Sequence, residues 1–237
     1  MSRSPFDMVV VGASSGGLQA FRELLGALPA RFPVPLAVVQ HRRADSGSRL
    51  AELLDAATSL EVREADDRET PAAGTVYLAP PGYHLLVEAG AFRLSVDPPE
   101  SYARPSIDVL FESATEAFGR RVAGVLLTAA SEDGAQGIAA IAARGGLTIV
   151  EDPETAFSPI APRAALARAR VQYVRPLGQI APLLLDLAGS GGRSPAMPPP
   201  AAPSIFLPSR RPAGRSSTCF RSPSPRGGQA GPGSAGA

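Results

Sequence analysis

The 237-residue chain contains no lysine, so all 23 of its basic residues are arginine. That absence removes three chemistries at once: the phosphate-binding lysine of a P-loop, a Schiff-base lysine, and the Tyr-x-x-x-Lys pair of short-chain dehydrogenases. A single cysteine, Cys219, excludes an intramolecular disulfide and a cysteine-rich zinc site. Only two histidines are present, His41 and His84, so any mechanism that needs an imidazole must use one of them. No apolar run approaches the length of a membrane-spanning helix. The opening Met1-Ser2-Arg3-Ser4-Pro5 lacks the apolar stretch of a secretory signal. Together these absences predict a cytoplasmic protein with no membrane insertion.

What is present divides in two. Residues 1–188 hold 17 arginines against 22 acidic residues, a net charge of −5, whereas residues 189–237 hold 6 arginines and no acid. The second part also holds 10 of the 25 prolines and 9 of the 24 glycines, with too few large apolar residues to build a core. It is expected to be a disordered Pro/Gly/Ser/Arg-rich tail. Nucleic acid is not an expected partner.

The first part alternates short apolar runs with amphipathic stretches. Strands are predicted at 8–12, 35–40, 61–64, 75–79, 122–127, 147–150 and 171–174. Helices are predicted at 18–28, 49–56, 107–118, 135–143, 162–169 and 179–187. Residues 83–88 and 91–96 alternate around Ala89-Gly90 and read as a β-hairpin. The fold class is therefore α/β: a doubly wound, mostly parallel sheet with helices on both faces and one antiparallel hairpin. Such sheets bind ligands beyond the carboxyl ends of their strands, so the chemistry should lie in the loops after Gly12, Gln40, Ala79 and Leu127.

Each of those loops carries reactive or small residues. Gly12-Ala13-Ser14-Ser15-Gly16-Gly17 leaves a strand and opens a helix, which suits a cofactor phosphate or a serine nucleophile served by backbone N–H groups. His41 follows the second strand and precedes Arg42-Arg43. His84 follows Ala79-Pro80-Pro81-Gly82-Tyr83. Asp133 sits where a plain helix cap is also expected. A serine, a histidine and a carboxylate at the ends of three strands are the components of a hydrolytic triad: a hydroxyl to be deprotonated, an imidazole to take the proton, a carboxylate to fix its tautomer.

Five segments in order carry a family resemblance: Gly12–Gly17, Gln40-His41, Ala79–His84, Arg104–Phe111 and Leu127–Ala135. Over nearly all of residues 7–188 the chain resembles the catalytic domain of the chemotaxis receptor methylesterases, the CheB family. The resemblance implies hydrolysis of glutamyl methyl esters, and deamidation of glutamines, on the cytoplasmic helices of methylated chemoreceptors. It implies Ser14, His41 and Asp133 as the catalytic triad. Ser15, Gly16, Ala130, Arg42 and His84 are expected as the residues that bind the oxyanion or the substrate. Neither a metal nor an organic cofactor is implied.

Regulated members carry a receiver domain ahead of this one. Here the first strand starts a few residues into the sequence, so a stand-alone form is expected, answering to a separate response-regulator or signalling partner if regulated. Arg42 and Arg43 stand where the family often has Met-Pro, and are expected to read acidic helices. If the turn after Thr128 needs a positive φ at residue 129, Ala129 should be strained there. Two other readings stay open: a catalytically weak or inactive signalling module of the same fold, and a nucleotide-binding Rossmann-like oxidoreductase.

Overall fold

In the computed structural model, residues 4–47 and 49–189 are described. The predicted tail, Cys219 included, lies outside the described residues except for Gly189.

The continuous apolar runs become a seven-stranded, all-parallel sheet. Its strands are β1 (Met8–Ala13), β2 (Leu36–Gln40), β3 (Glu61–Glu64), β4 (Thr75–Leu78), β7 (Val122–Leu126), β8 (Leu147–Glu151) and β9 (Tyr173–Arg175), in the order β3-β4-β2-β1-β7-β8-β9. The hairpin strands β5 (His84–Glu88) and β6 (Ala91–Ser95) form their own two-stranded antiparallel sheet, with Glu88 opposite Ala91 across the Ala89-Gly90 turn.

Alternation along β1 explains why both faces are covered. Val9 and Val11 join one core with Phe21, Leu24 and Leu25 of α1 (Gly17–Gly26), Leu54 of α2 (Arg49–Asp55) and Ile180 and Leu184 of α6 (Ile180–Gly189). Met8 and Val10 point the other way. There they meet Leu110 and Phe111 of α3 (Ile107–Phe118), Ile138 and Ile141 of α4 (Ala135–Ala143), Ala161 and Ala165 of α5 (Ile160–Arg168), and Leu85, Val87 and Phe92 of the hairpin. Leu18, the apolar residue that opens the expected helix 18–28, is exposed, and Gly17 and Ala20 take the inner positions.

The chain winds from β1 to one edge, then crosses through the hairpin and α3 to β7 on the other side of β1. Neighbouring strands β1 and β7 thus send their following loops in opposite directions, which opens a crevice at their carboxyl ends. No helix among the described residues is long and apolar enough to cross a membrane.

Candidate active site

The loop after β1 is built to be tight and fixed. Ser14 N–H donates to Thr128 O at 2.9 Å, and Gly17 N–H to Ser14 O at 2.9 Å, closing the turn into α1. Gly16 takes φ +83°, a left-handed conformation open to glycine, and a Cβ there would meet the Phe157 ring. Thr128, at the start of the loop after β7, locks the two loops together. Its Oγ1 donates to Ser15 O at 2.8 Å and accepts from Ser158 N at 2.7 Å. Its own N–H is held at 2.8 Å by the buried carboxylate of Glu151 at the end of β8. Burial raises the Glu151 pKa; the Thr128 N–H pulls it back down, while the negative charges of Glu23 and Asp152 add to the rise.

Gln40 ends β2 and clamps the next loop to the first. Its Nε2 donates to Ser14 O at 2.9 Å and to His41 O at 3.1 Å. His41 N–H continues the ladder to Ala13 O at 3.2 Å, so the imidazole and the Ser14 hydroxyl start from adjacent backbone. His41 Nε2 then lies 2.6 Å from Asp133 Oδ2, which leaves Nδ1 as the nitrogen open to a reacting group.

Asp133 is fully buried and is the most heavily bonded group of the site. Besides His41 it accepts from Ser106 Oγ at 2.9 Å, Ile107 N at 2.8 Å and Asp108 N at 3.0 Å. It therefore caps the N-terminus of α3, a long-range partner. The sequence had suggested that it caps the helix following it. That helix, α4, is capped instead by Asp108 of α3, whose Oδ1 accepts from Gly134 N at 2.9 Å and Gly137 N at 2.7 Å. The two helices exchange caps.

Burial alone would raise the Asp133 pKa. The His41 hydrogen bond and the N–H groups of Asp108 and Ile107 outweigh it, so the carboxyl is held below its ordinary value and stays ionised. Asp108 goes the other way, pushed up to about 7 by burial first, with the Gly137 N–H opposing and the Asp133 charge adding to the rise.

Of the residues singled out from sequence, the fold brings Ser14, Ser15, Gly16, His41, Ala130 and Asp133 to the crevice between β1 and β7 and its flank. The Ser14 hydroxyl, half-buried, takes no hydrogen bond among the described residues. Nucleophile–base hydrogen bonds are often long before substrate arrives. The N–H groups of Ser15, Gly16 and Ala130 make no backbone hydrogen bond among the described residues, and Ala130 is exposed. Ala129 is absent from the positive-φ residues, so the expected strain does not arise; its N–H and C=O are paired with Ser158 and Ala161.

Two of the expected substrate residues are engaged within the fold. His84 is buried, its Nδ1 accepting from Ser106 N at 3.2 Å and its Nε2 donating to Pro98 O at 3.1 Å, and it fixes the approach to α3. Arg42 has a side chain only 7% exposed, with Nη2 bound to Glu64 and Ala79 O at 2.7 Å each and Nη1 to Gly47 O at 3.2 Å. Its guanidinium braces the loop after β2.

Sequence reasoning missed Gln40, Ser106, Asp108 and Glu151 as supports. Ser106 had a readable signal, a serine just ahead of a helical stripe. The others act across elements distant in sequence. Among the described residues no cluster of three or more metal-ligating side chains is gathered.

The site thus presents an imidazole oriented by an ionised carboxylate, a hydroxyl on a neighbouring tight turn, and backbone donors around it. Those are the parts of acyl transfer.

Comparison with known proteins agrees. The family profile described as CheB methylesterase matches residues 9–184. A putative protein-glutamate methylesterase/protein-glutamine glutaminase of Leptospira interrogans is 40% identical over 183 residues, covering 77% of this chain and 95% of that protein. A protein-glutamate methylesterase/protein-glutamine glutaminase of Cupriavidus metallidurans is 43% identical over 187 residues, covering 78% of this chain; the match spans 55% of that longer protein. The crystal structure of the Thermotoga maritima CheB methylesterase catalytic domain superposes with a TM-score of 0.73 at 32% identity, covering 77% of this chain and 98% of that one. With five motifs, the fold and this match in agreement, the chain belongs to the CheB methylesterase family.

Proposed function

We propose that Ser14, His41 and Asp133 form the catalytic triad of a protein-glutamate methylesterase that also deamidates glutamine, acting on the methylated cytoplasmic helices of chemoreceptors. The observation that carries the assignment is the 2.6 Å bond between His41 Nε2 and the buried Asp133 carboxylate, one strand away from the Ser14 turn.

His41 Nδ1 takes the Ser14 proton as Oγ attacks the ester carbonyl. Asp133 offsets the charge that forms on the imidazole. The oxyanion of the tetrahedral intermediate is met by backbone N–H groups of Ser15, Gly16 and Ala130. Collapse breaks the ester C–O bond, and the imidazolium returns its proton to the departing methanol. Water then attacks the acyl-serine by the same route in reverse, freeing Ser14 and leaving a glutamate. With a glutamine substrate the leaving group is ammonia. No bound group beyond water enters the balance. Residues 1–188 are the catalytic domain in this reading, and the substrate helices place the enzyme in the cytoplasm.

The oxidoreductase reading assigned the first loop to a cofactor phosphate, yet the chain lacks the lysine that reading needs. The inactive-module reading has the oriented His41–Asp133 pair against it. Methanol release from a methyl-esterified peptide should fall by a factor on the order of 10⁴–10⁶ in Ser14→Ala, with the thermal unfolding curve unchanged. A fluorophosphonate probe should label the unsubstituted chain at Ser14. Substantial turnover by Ser14→Ala would refute the assignment.

A further inference from the structure

Beside His41 a cleft of about 580 Å³ opens toward the segment that joins the hairpin to α3. Arg42, Arg43 and Arg104 line it, and no carboxylate does. The carboxylate partners of Arg42 and Arg43, Glu64 and Asp45, lie outside the lining. Arg104 is held by the backbone carbonyls of Val96 and Asp97 at 2.7 and 2.9 Å. Glu100 and Asp108, each four residues from Arg104, line a different cavity. Arg42 and Arg43 are compensated by Glu64 and Asp45, so Arg104 is the lining cation with no carboxylate partner among the described residues.

The rim of this cleft is unusual in its backbone. Glu100 and Ala103 pair across a two-residue turn, with N–H···O distances of 3.1 and 2.8 Å. Both central residues have positive φ, Ser101 at 49° and Tyr102 at 63°. That pattern belongs to turns favouring Asn-Gly, and side chains other than Asn, Asp and Gly are strained in it. The Tyr102 ring is fully exposed, so it receives no packing in return. Ser131 lines the same cleft, and its Oγ is buried without a hydrogen-bond partner. An uncompensated aromatic side chain, an unspent hydroxyl and the guanidinium groups of Arg43 and Arg104 converge next to the proposed base.

We infer that this cleft is the binding site for substrate residues flanking the scissile ester, that it selects segments bearing carboxylates, and that Tyr102 is the side chain packing over the bound segment. The inference rests on the esterase reading for the identity of the substrate, and deepens it by assigning where selectivity resides. Arg43 and Arg104 supply long-range attraction for acidic residues, Ser131 a hydrogen-bond donor, and Tyr102 an apolar face with a polar tip.

The test uses the full chain carrying Ser14→Ala, so that binding is read without turnover. Two fluorescent peptides of one sequence, each with a single glutamyl γ-methyl ester, are titrated by anisotropy; the flanking residues are glutamates in one and glutamines in the other. The acidic peptide should bind about 10-fold more tightly, and added salt should erode that preference. Adding Tyr102→Gly should weaken binding of the acidic peptide about 10-fold while raising the melting temperature by about 2–4 °C, since glycine accepts the turn without strain. Rise in stability with loss of affinity separates a binding role from a merely structural one. Equal affinity for the two peptides, or unchanged affinity in Tyr102→Gly, overturns the inference. Methanol release by the unsubstituted chain is measured separately: its absence indicts the esterase reading, whereas the binding result stands on its own.

Discussion

Two aspartates face each other across the start of α3 and α4 and titrate in opposite directions. Asp133, held below its ordinary pKa, contributes stability above about pH 3.8 that is lost as the pH falls through its folded value. Asp108 keeps its proton more tightly in the folded chain, up to about 7 against an ordinary 3.8. Its contribution is therefore complete below about pH 3.8 and declines as the pH rises toward 7, because over that window the folded state binds the proton that the unfolded state has released. Asp108→Asn keeps an oxygen that can accept from Gly134 and Gly137 but removes the titration. Urea unfolding measured from pH 4 to 7 should show stability falling with pH in the unsubstituted chain, and a clearly shallower decline in Asp108→Asn. Identical slopes would mean that Asp108 is ionised throughout. None of this was visible in the sequence. Asp133 could be placed near a helix start, but which helix it caps depends on how α3 lies across the sheet, and burial decides the sign of each shift.

At the scale of elements, α3 and α4 are locked by close approach as well as by exchanged caps. A Cβ at Gly137 would collide with the Phe111 side chain, so the two helices touch where one of them has no side chain. Gly137→Ala should cost about 1–3 kcal/mol in urea unfolding, despite the better helix propensity of alanine. A stabilised variant would show that the helices can part without penalty. The boundaries of these same helices were legible to the residue, since apolar spacing marked both and Gly145 follows the second at φ +74°. Buried strands were equally plain as continuous apolar runs. The last strand starts two residues later and ends one later than expected, at Tyr173–Arg175, because its ends are set by pairing with Ile149–Glu151 and not by its own apolar content. The surroundings of His84 were hidden for a related reason: a histidine beginning a hairpin looks available until the segment from Pro98 to Ser106 is folded over it.

For the whole molecule, the decisive feature is where the strand order reverses. The loops after β1, β2 and β7 meet there. Gln40 ties two of them through Ser14 O and His41 O, and Thr128 ties the third. Gln40→Leu should leave the fold standing but lower kcat for methyl-ester hydrolysis about 10–100-fold, because small misplacements of reacting groups carry penalties of that size. Unaltered kcat would show that the loops hold their places unaided. The convergence itself was readable, since alternating strands and helices already send such loops to one end of a sheet. The bonds from Gln40 to Ser14 O and from Thr128 to Ser15 O were not, because they join residues 26 and 113 positions apart.

The exchange of caps between α3 and α4 has one further consequence. The carboxylate that steadies the imidazole is also the peg on which α3 begins, so the enzyme cannot be half-assembled and yet competent. A nascent or partly melted chain, with the second half of the sheet undocked, would carry the serine and the histidine without their anionic counterpart. In the triad reading, loss of the α3–α4 packing and loss of hydrolysis are one event.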